Sequence, residues 1–128
     1  MADCCCSAKT DKNVLIYACS GGANVAEAAD LAARQLAAEG CGGMFCLAGI
    51  GAGIQGMVQT AKDADVNLVI DGCPMDCAKK CFENAGVDNY TFIRVTDLGI
   101  EKLPKGNRAT SDDVARIVST AKHCLGCQ

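Results

Sequence analysis

The chain has 128 residues, half of them hydrophobic, and a formal net charge of -3, a size that supports one ordinary core and folding as a single domain. Lys and Arg are scattered apart from Lys79-Lys80, which excludes the basic footprint of a nucleic-acid binder. No apolar run approaches the roughly 20 residues of a membrane span, and the amino terminus carries a Cys triplet and charges where a signal peptide would be apolar, so a cytoplasmic protein is expected.

Cysteine is the outlier, with 11 residues. The count is odd, the chain has ample Val, Ile, Leu and Ala for a core, and no export signal precedes it. Reduced thiols with a chemical purpose are therefore expected rather than a disulfide framework.

Residues 1–12 contain Cys4, Cys5 and Cys6 followed by polar residues without periodicity, and read as a tail outside any site. Asn13 to Cys19 reads as a short apolar strand carrying Val14, Leu15, Ile16 and Tyr17. Ser20-Gly21-Gly22 makes a tight turn, and Asn24 to Glu39 is rich in helix formers, with Leu31 and Leu36 on the core face and Gly40 as the stop. Gly42 to Leu47 reads as a second strand holding Cys46, and Ala48 to Gly56 as a glycine-rich turn into a second helix. Asn67 to Asp71 reads as the third strand. Pro74 fits the first position of a helix running to about Asn84, which puts Cys73 at or beside the N-cap and Cys77 one turn in. Tyr90 to Val95 reads as a fourth strand, Thr96 to Asn107 as an irregular loop, and Thr110 or Ser111 as the cap of a last helix carrying Val114, Ile117 and Val118 on one face. The expected division is a Cys-rich tail over 1–12, an α/β domain over 13–122 and a Cys-containing tail over 123–128.

Four strands alternating with helices predict a four-stranded parallel sheet of order 2-1-3-4, flavodoxin- or Rossmann-like, with helices on both faces in a three-layer sandwich. In such sheets sites form beyond the carboxyl ends of the strands. Cys19, Cys46 and Cys73 each end a strand, and Cys77 lies on the helix that follows the third. Neighbouring strand ends are about 4.8 Å apart, and sulfurs around a zinc ion at about 2.3 Å stand roughly 3.7 Å from one another, so a shared site is within reach. Each cysteine taken alone is equally a small buried residue. Taken together, they point to a shared metal or redox centre, with helix N-termini offsetting the charge of the thiolates.

Cys19-Ser20-Gly21, Cys46-Leu47-Ala48-Gly49-Ile50-Gly51, Asp71-Gly72-Cys73-Pro74 with Cys77, and Thr96-Asp97-Leu98-Gly99-Ile100 with Lys102 together resemble the DGC-domain family, from about Val14 to Lys102. The resemblance implies a four-cysteine set, Cys19, Cys46, Cys73 and Cys77, inferred in that family to bind zinc. Cys41, Cys81, the amino-terminal triplet and Cys124/Cys127 fall outside its pattern.

Several other signals compete. Gly51, Gly53 and Gly56 satisfy G-x-G-x-x-G, with Asp71 about where a ribose-binding acid would stand. That is a weak nucleotide alternative, since Cys46 and Cys73 would crowd the same mouth. Cys81, one turn beyond Cys77, is expected in the core. Cys124 and Cys127 have redox or half-zinc spacing but no following helix, and His123 is isolated. Asp97 and Lys102 are expected on the rim of the site or as an ion pair in a solvated loop. The leading expectation is a soft-metal-binding protein, zinc by preference, in metal handling or sensing. The alternatives are a thiol redox or sulfur-transfer enzyme with Cys73 as nucleophile and Cys77 or Cys19 resolving, and an iron–sulfur cluster protein. The metal ion is the expected partner, a homodimer or an unidentified protein partner stays open, and neither nucleic acid nor membrane is expected.

Overall fold

The computed structural model describes residues 12–127. Four strands, β1 (Val14–Ala18), β2 (Gly43–Met44), β3 (Val66–Asp71) and β4 (Tyr90–Arg94), form one parallel sheet in the order β2-β1-β3-β4, the expected topology. The helices are α1 (Asn24–Ala38), α2 (Leu47–Gly51), α3 (Gln55–Asp63), α4 (Cys77–Ala85) and α5 (Ser111–Leu125), with a 3-10 turn at Val95–Leu98. Among the described residues no helix is long and apolar enough to cross a membrane. The Cys4, Cys5 and Cys6 tail lies outside the described residues.

Strand side chains alternate between two cores. Ile16, Leu68 and Ile70 face α1 and α5, while Tyr17 and Val69 face α2 and α4, so both faces of the sheet are covered. Ala28, Ala29, Ala32 and Ala33 are fully buried and let α1 lie close against the sheet and α5. Leu36 is buried as expected, but Leu31 is exposed, because the alanine stripe already fills the contact.

Three expectations about elements change. β2 is only Gly43–Met44, so Cys46 stands beyond the strand as the N-cap of α2. The glycine-rich stretch is not one turn: α2 occupies Leu47–Gly51, and the chain turns at Ala52–Ile54 before α3. The last helix runs through His123, Cys124 and Leu125 and is not followed by a tail of six residues. No breaker precedes Gly126, and Leu125 packs against the core.

The C-termini of α1 and α5 end alike. Gly40 and Gly126 take positive φ (80° and 69°), and the next residue donates back across the last turn, Cys41 N–H to Leu36 O at 2.9 Å and Cys127 N–H to Lys122 O at 2.8 Å. Since α1 and α5 pack together, these caps bring Cys41 and Cys127 face to face, and the two form a disulfide with a Cα–Cα distance of 6.2 Å. The expectation of reduced thiols is corrected at this pair. It was unreadable from spacing because it joins residues 86 positions apart.

Candidate metal centre

Asp71 ends β3 with its side chain buried. Its Oδ1 accepts from Ala78 N–H at 2.8 Å and its Oδ2 from Lys79 N–H at 2.9 Å, so it supplies the partners that the first turn of α4 lacks. That contact sets where the helix begins. The start expected at Pro74 is corrected: Cys73 to Asp76 is a turn closed by Asp76 N–H to Cys73 O at 3.1 Å, Asp76 is the N-cap, and Cys77 is the first helical residue. Asp76 sits in the left-handed region (φ 55°). Its carboxylate receives Arg94 Nε at 2.8 Å and Nη2 at 2.6 Å, which holds its carboxyl below the usual range. Gly72 is required by close approach, since a Cβ there would stand 2.9 Å from Ala26 N and Val25 C in the backbone of α1.

Cys19 follows β1, and its Sγ accepts from Gly72 N–H at 3.1 Å. Burial pushes its thiol up to about 12; the Gly72 N–H opposes the rise, and the Asp71 carboxylate and Cys77 add to it. Cys73 is half-buried, and Lys102 Nζ donates to its Sγ at 3.7 Å. The loop carrying Lys102 is fastened by buried Asn24, which donates to Glu101 O at 2.9 Å and accepts from Leu103 N–H at 2.8 Å. Cys46 and Cys77 are exposed. Cys81, expected in the core, is half-exposed and shares with Cys46 an open groove of about 710 Å³ bordered by Ser20 and Arg34. Gly51 makes room for it, because a Cβ at Gly51 would stand 3.1 Å from Cys81 Sγ. Burial first, and then Cys77, pushes the Cys81 thiol up.

The four thiols from the sequence argument thus lie at the carboxyl edge in two sets. Cys19, Cys73 and Cys77 surround the Asp71-Gly72 turn, whereas Cys46 opens with Cys81 onto the groove beside it. Among the described residues no three His, Cys, Asp or Glu side chains are gathered at metal-ligating spacing. The donor set has the chemistry of a soft-ion site, and the thiols of Cys46 and Cys77 are exposed. Sequence reasoning assigned Cys81 to the core and missed Arg94 and Asn24. Only Cys81 left a signal, its i, i+4 spacing from Cys77.

The glycine alternative has lost its geometry. A phosphate cradle needs its turn directly between strand and helix, but here α2 intervenes: Gly51 ends α2, Gly53 has φ 71° and Gly56 lies in the first turn of α3. Both oxygens of Asp71 are already taken by α4. Asp97 pairs with Arg94 at 3.1 Å rather than with Lys102.

Burial should govern thiol reactivity. At neutral pH, Cys46 is expected to be alkylated at least about ten-fold faster than Cys19, measured by mass spectrometry of quenched time points. Equal rates would mean that the Cys19 pocket is open in solution.

Fold and site define a parallel α/β domain whose carboxyl edge presents thiols from three successive turns. The chain belongs to the DGC domain family, whose model matches residues 15–121. It is 34% identical over 103 residues to the anaerobic and virulence modulator AnvM of Pseudomonas aeruginosa, covering 80% of this chain and 78% of that protein. No solved structure matches the chain.

Proposed function

We propose that this protein binds a soft metal ion, zinc by preference, through Cys19, Cys46, Cys73 and Cys77, and serves in cytoplasmic metal handling or sensing. The observation that carries this reading is the delivery of thiols from three elements to one edge, around a turn fixed by Asp71 and Gly72. Two further features support it. The Gly72 N–H directed at Cys19 Sγ is a contact that stabilises a metal thiolate, and the Lys102 ammonium beside Cys73 offsets the negative charge of four thiolates. Zinc held by four sulfurs would be tetrahedral and closed, which favours a structural or sensing role over catalysis. The name of the Pseudomonas relative, an anaerobic and virulence modulator, inclines the reading toward sensing.

The Lys102–Cys73 contact also favours a second reading, a thiol redox or sulfur-transfer enzyme with Cys73 as nucleophile, because an ammonium at a sulfur stabilises the thiolate. Elemental analysis and visible absorbance of protein purified anaerobically without added metal separate these readings. About one zinc per chain in colourless protein, lost in Cys73→Ser, is the expected result. Charge-transfer absorbance with iron would indicate a cluster. Folded, metal-free protein carrying a persulfide or mixed disulfide on Cys73 would replace the metal reading with the enzyme.

A further inference from the structure

A second group of cysteines lies at the opposite edge of the sheet. Cys41 lies two residues before β2, and Gly42 packs against Val14 at the start of β1, so the Cys41–Cys127 bridge sits at the amino edge, away from the thiols of the candidate metal centre. Both bridged residues are almost wholly buried, Cys41 at 2% exposure and Cys127 at 4%. Cys124, in the last turn of α5, is a free and exposed thiol.

Gly126 reverses the chain so that Cys127 folds back over the turn holding Cys124, with Gly126 N–H donating to His123 O at 3.3 Å and Cys127 N–H to Lys122 O at 2.8 Å. Cys127 therefore stands between two cysteines, bridged to buried Cys41 and one capping turn along the chain from exposed Cys124.

We propose that Cys41, Cys124 and Cys127 form a thiol–disulfide exchange site whose substrate is a low-molecular-weight thiol, with Cys124 as the sulfur that meets it. The Cys124 thiolate attacks Cys127 Sγ, the Cys124–Cys127 bond forms, the Cys41–Cys127 bond breaks, and Cys41 leaves with the electron pair and takes up a proton. This step is an isomerisation with no net oxidation. A thiol RSH, as its thiolate, then attacks exposed Cys124 Sγ and expels Cys127 as a thiolate. A second RSH attacks the mixed disulfide, releasing RSSR and reduced Cys124, so that two electrons pass from two substrate thiols to the protein. A bridge this buried offers a solvent thiol no direct approach short of local unfolding, whereas Cys124 is open to one.

The reading is independent of the metal centre, and reduced glutathione is the probe. Bridge opening is followed by acid quench, alkylation and mass analysis of the Cys41 peptide in wild-type protein and in Cys124→Ser, an exposed and conservative change. The expected result is opening at least ten-fold slower in the variant, with a glutathione adduct trapped on Cys124 in the wild type. A second arm treats Cys41→Ser with oxidised glutathione, where a Cys124–Cys127 bridge is expected. Equal opening rates with and without Cys124 would overturn the proposal, as would a Cys41→Ser protein in which Cys124 and Cys127 never pair.

Discussion

Cys41→Ser with Cys127→Ser is expected to lower stability by about 2–5 kcal/mol, which for a domain of this size is a fall in Tm of about 7–18 °C. The bridge closes a separation of 86 residues, most of the domain, and so removes much of the loop freedom of the unfolded chain. Both sulfurs also fill core positions beneath the caps of α1 and α5, so serine at either site leaves a hydroxyl among apolar neighbours. Thermal unfolding of wild type and double variant, each with and without a strong reductant, checks this. Reductant should bring the wild type down toward the variant and leave the variant unmoved. Equal Tm values in all four samples would mean that the bridge does not form in solution.

Asp71→Ala is expected to cost about 2–4 kcal/mol and Asp71→Asn roughly half as much. The carboxylate accepts two backbone N–H groups, from Ala78 in the core and from Lys79 at its margin. Alanine abandons both, and an unsatisfied buried donor keeps the full cost of leaving water. Asparagine retains one acceptor and presents its amide N–H₂ to the other donor. The loss also reaches function: Asp71 fixes the first residue of α4, so its removal frees the position of Cys77 relative to Cys73. Chemical denaturation measures the stability, and chelator competition reports whether metal affinity falls with it. A change within ~0.5 kcal/mol for Asp71→Ala would refute the capping role.

The Asp-Gly-Cys sequence reads in physical terms once its neighbours are known. Asp71 caps the following helix, Gly72 leaves room for the backbone of α1, and the Gly72 N–H is aimed at Cys19. The sequence showed that something turns sharply there, but placed the helix start at Pro74 by the local rule for proline. A side-chain cap from Asp71 outweighed that rule and moved the start to Cys77. The same competition explains the glycine run. Its spacing matched a phosphate-binding fingerprint, yet Ile50 packs into the α2–α4 core and pulls Leu47–Gly51 into a short helix, leaving Gly51 to make room for Cys81 while a Cβ at Gly53 or Gly56 would meet nothing within 4 Å.

By itself the sequence determined the sheet order, the helices on both faces and the carboxyl edge at which Cys19, Cys46, Cys73 and Cys77 stand. Strand periodicity, helix caps and parallel connections are local or topological properties. Tertiary structure alone decided what lies across space: the Cys41–Cys127 bridge, the groove shared by Cys46 and Cys81, the Arg94 grip on Asp76, and Lys102 held over Cys73 by Asn24. Each joins residues distant in sequence, and their meeting depends on how α1, α4, α5 and the loop after β4 pack, which no spacing along the chain records.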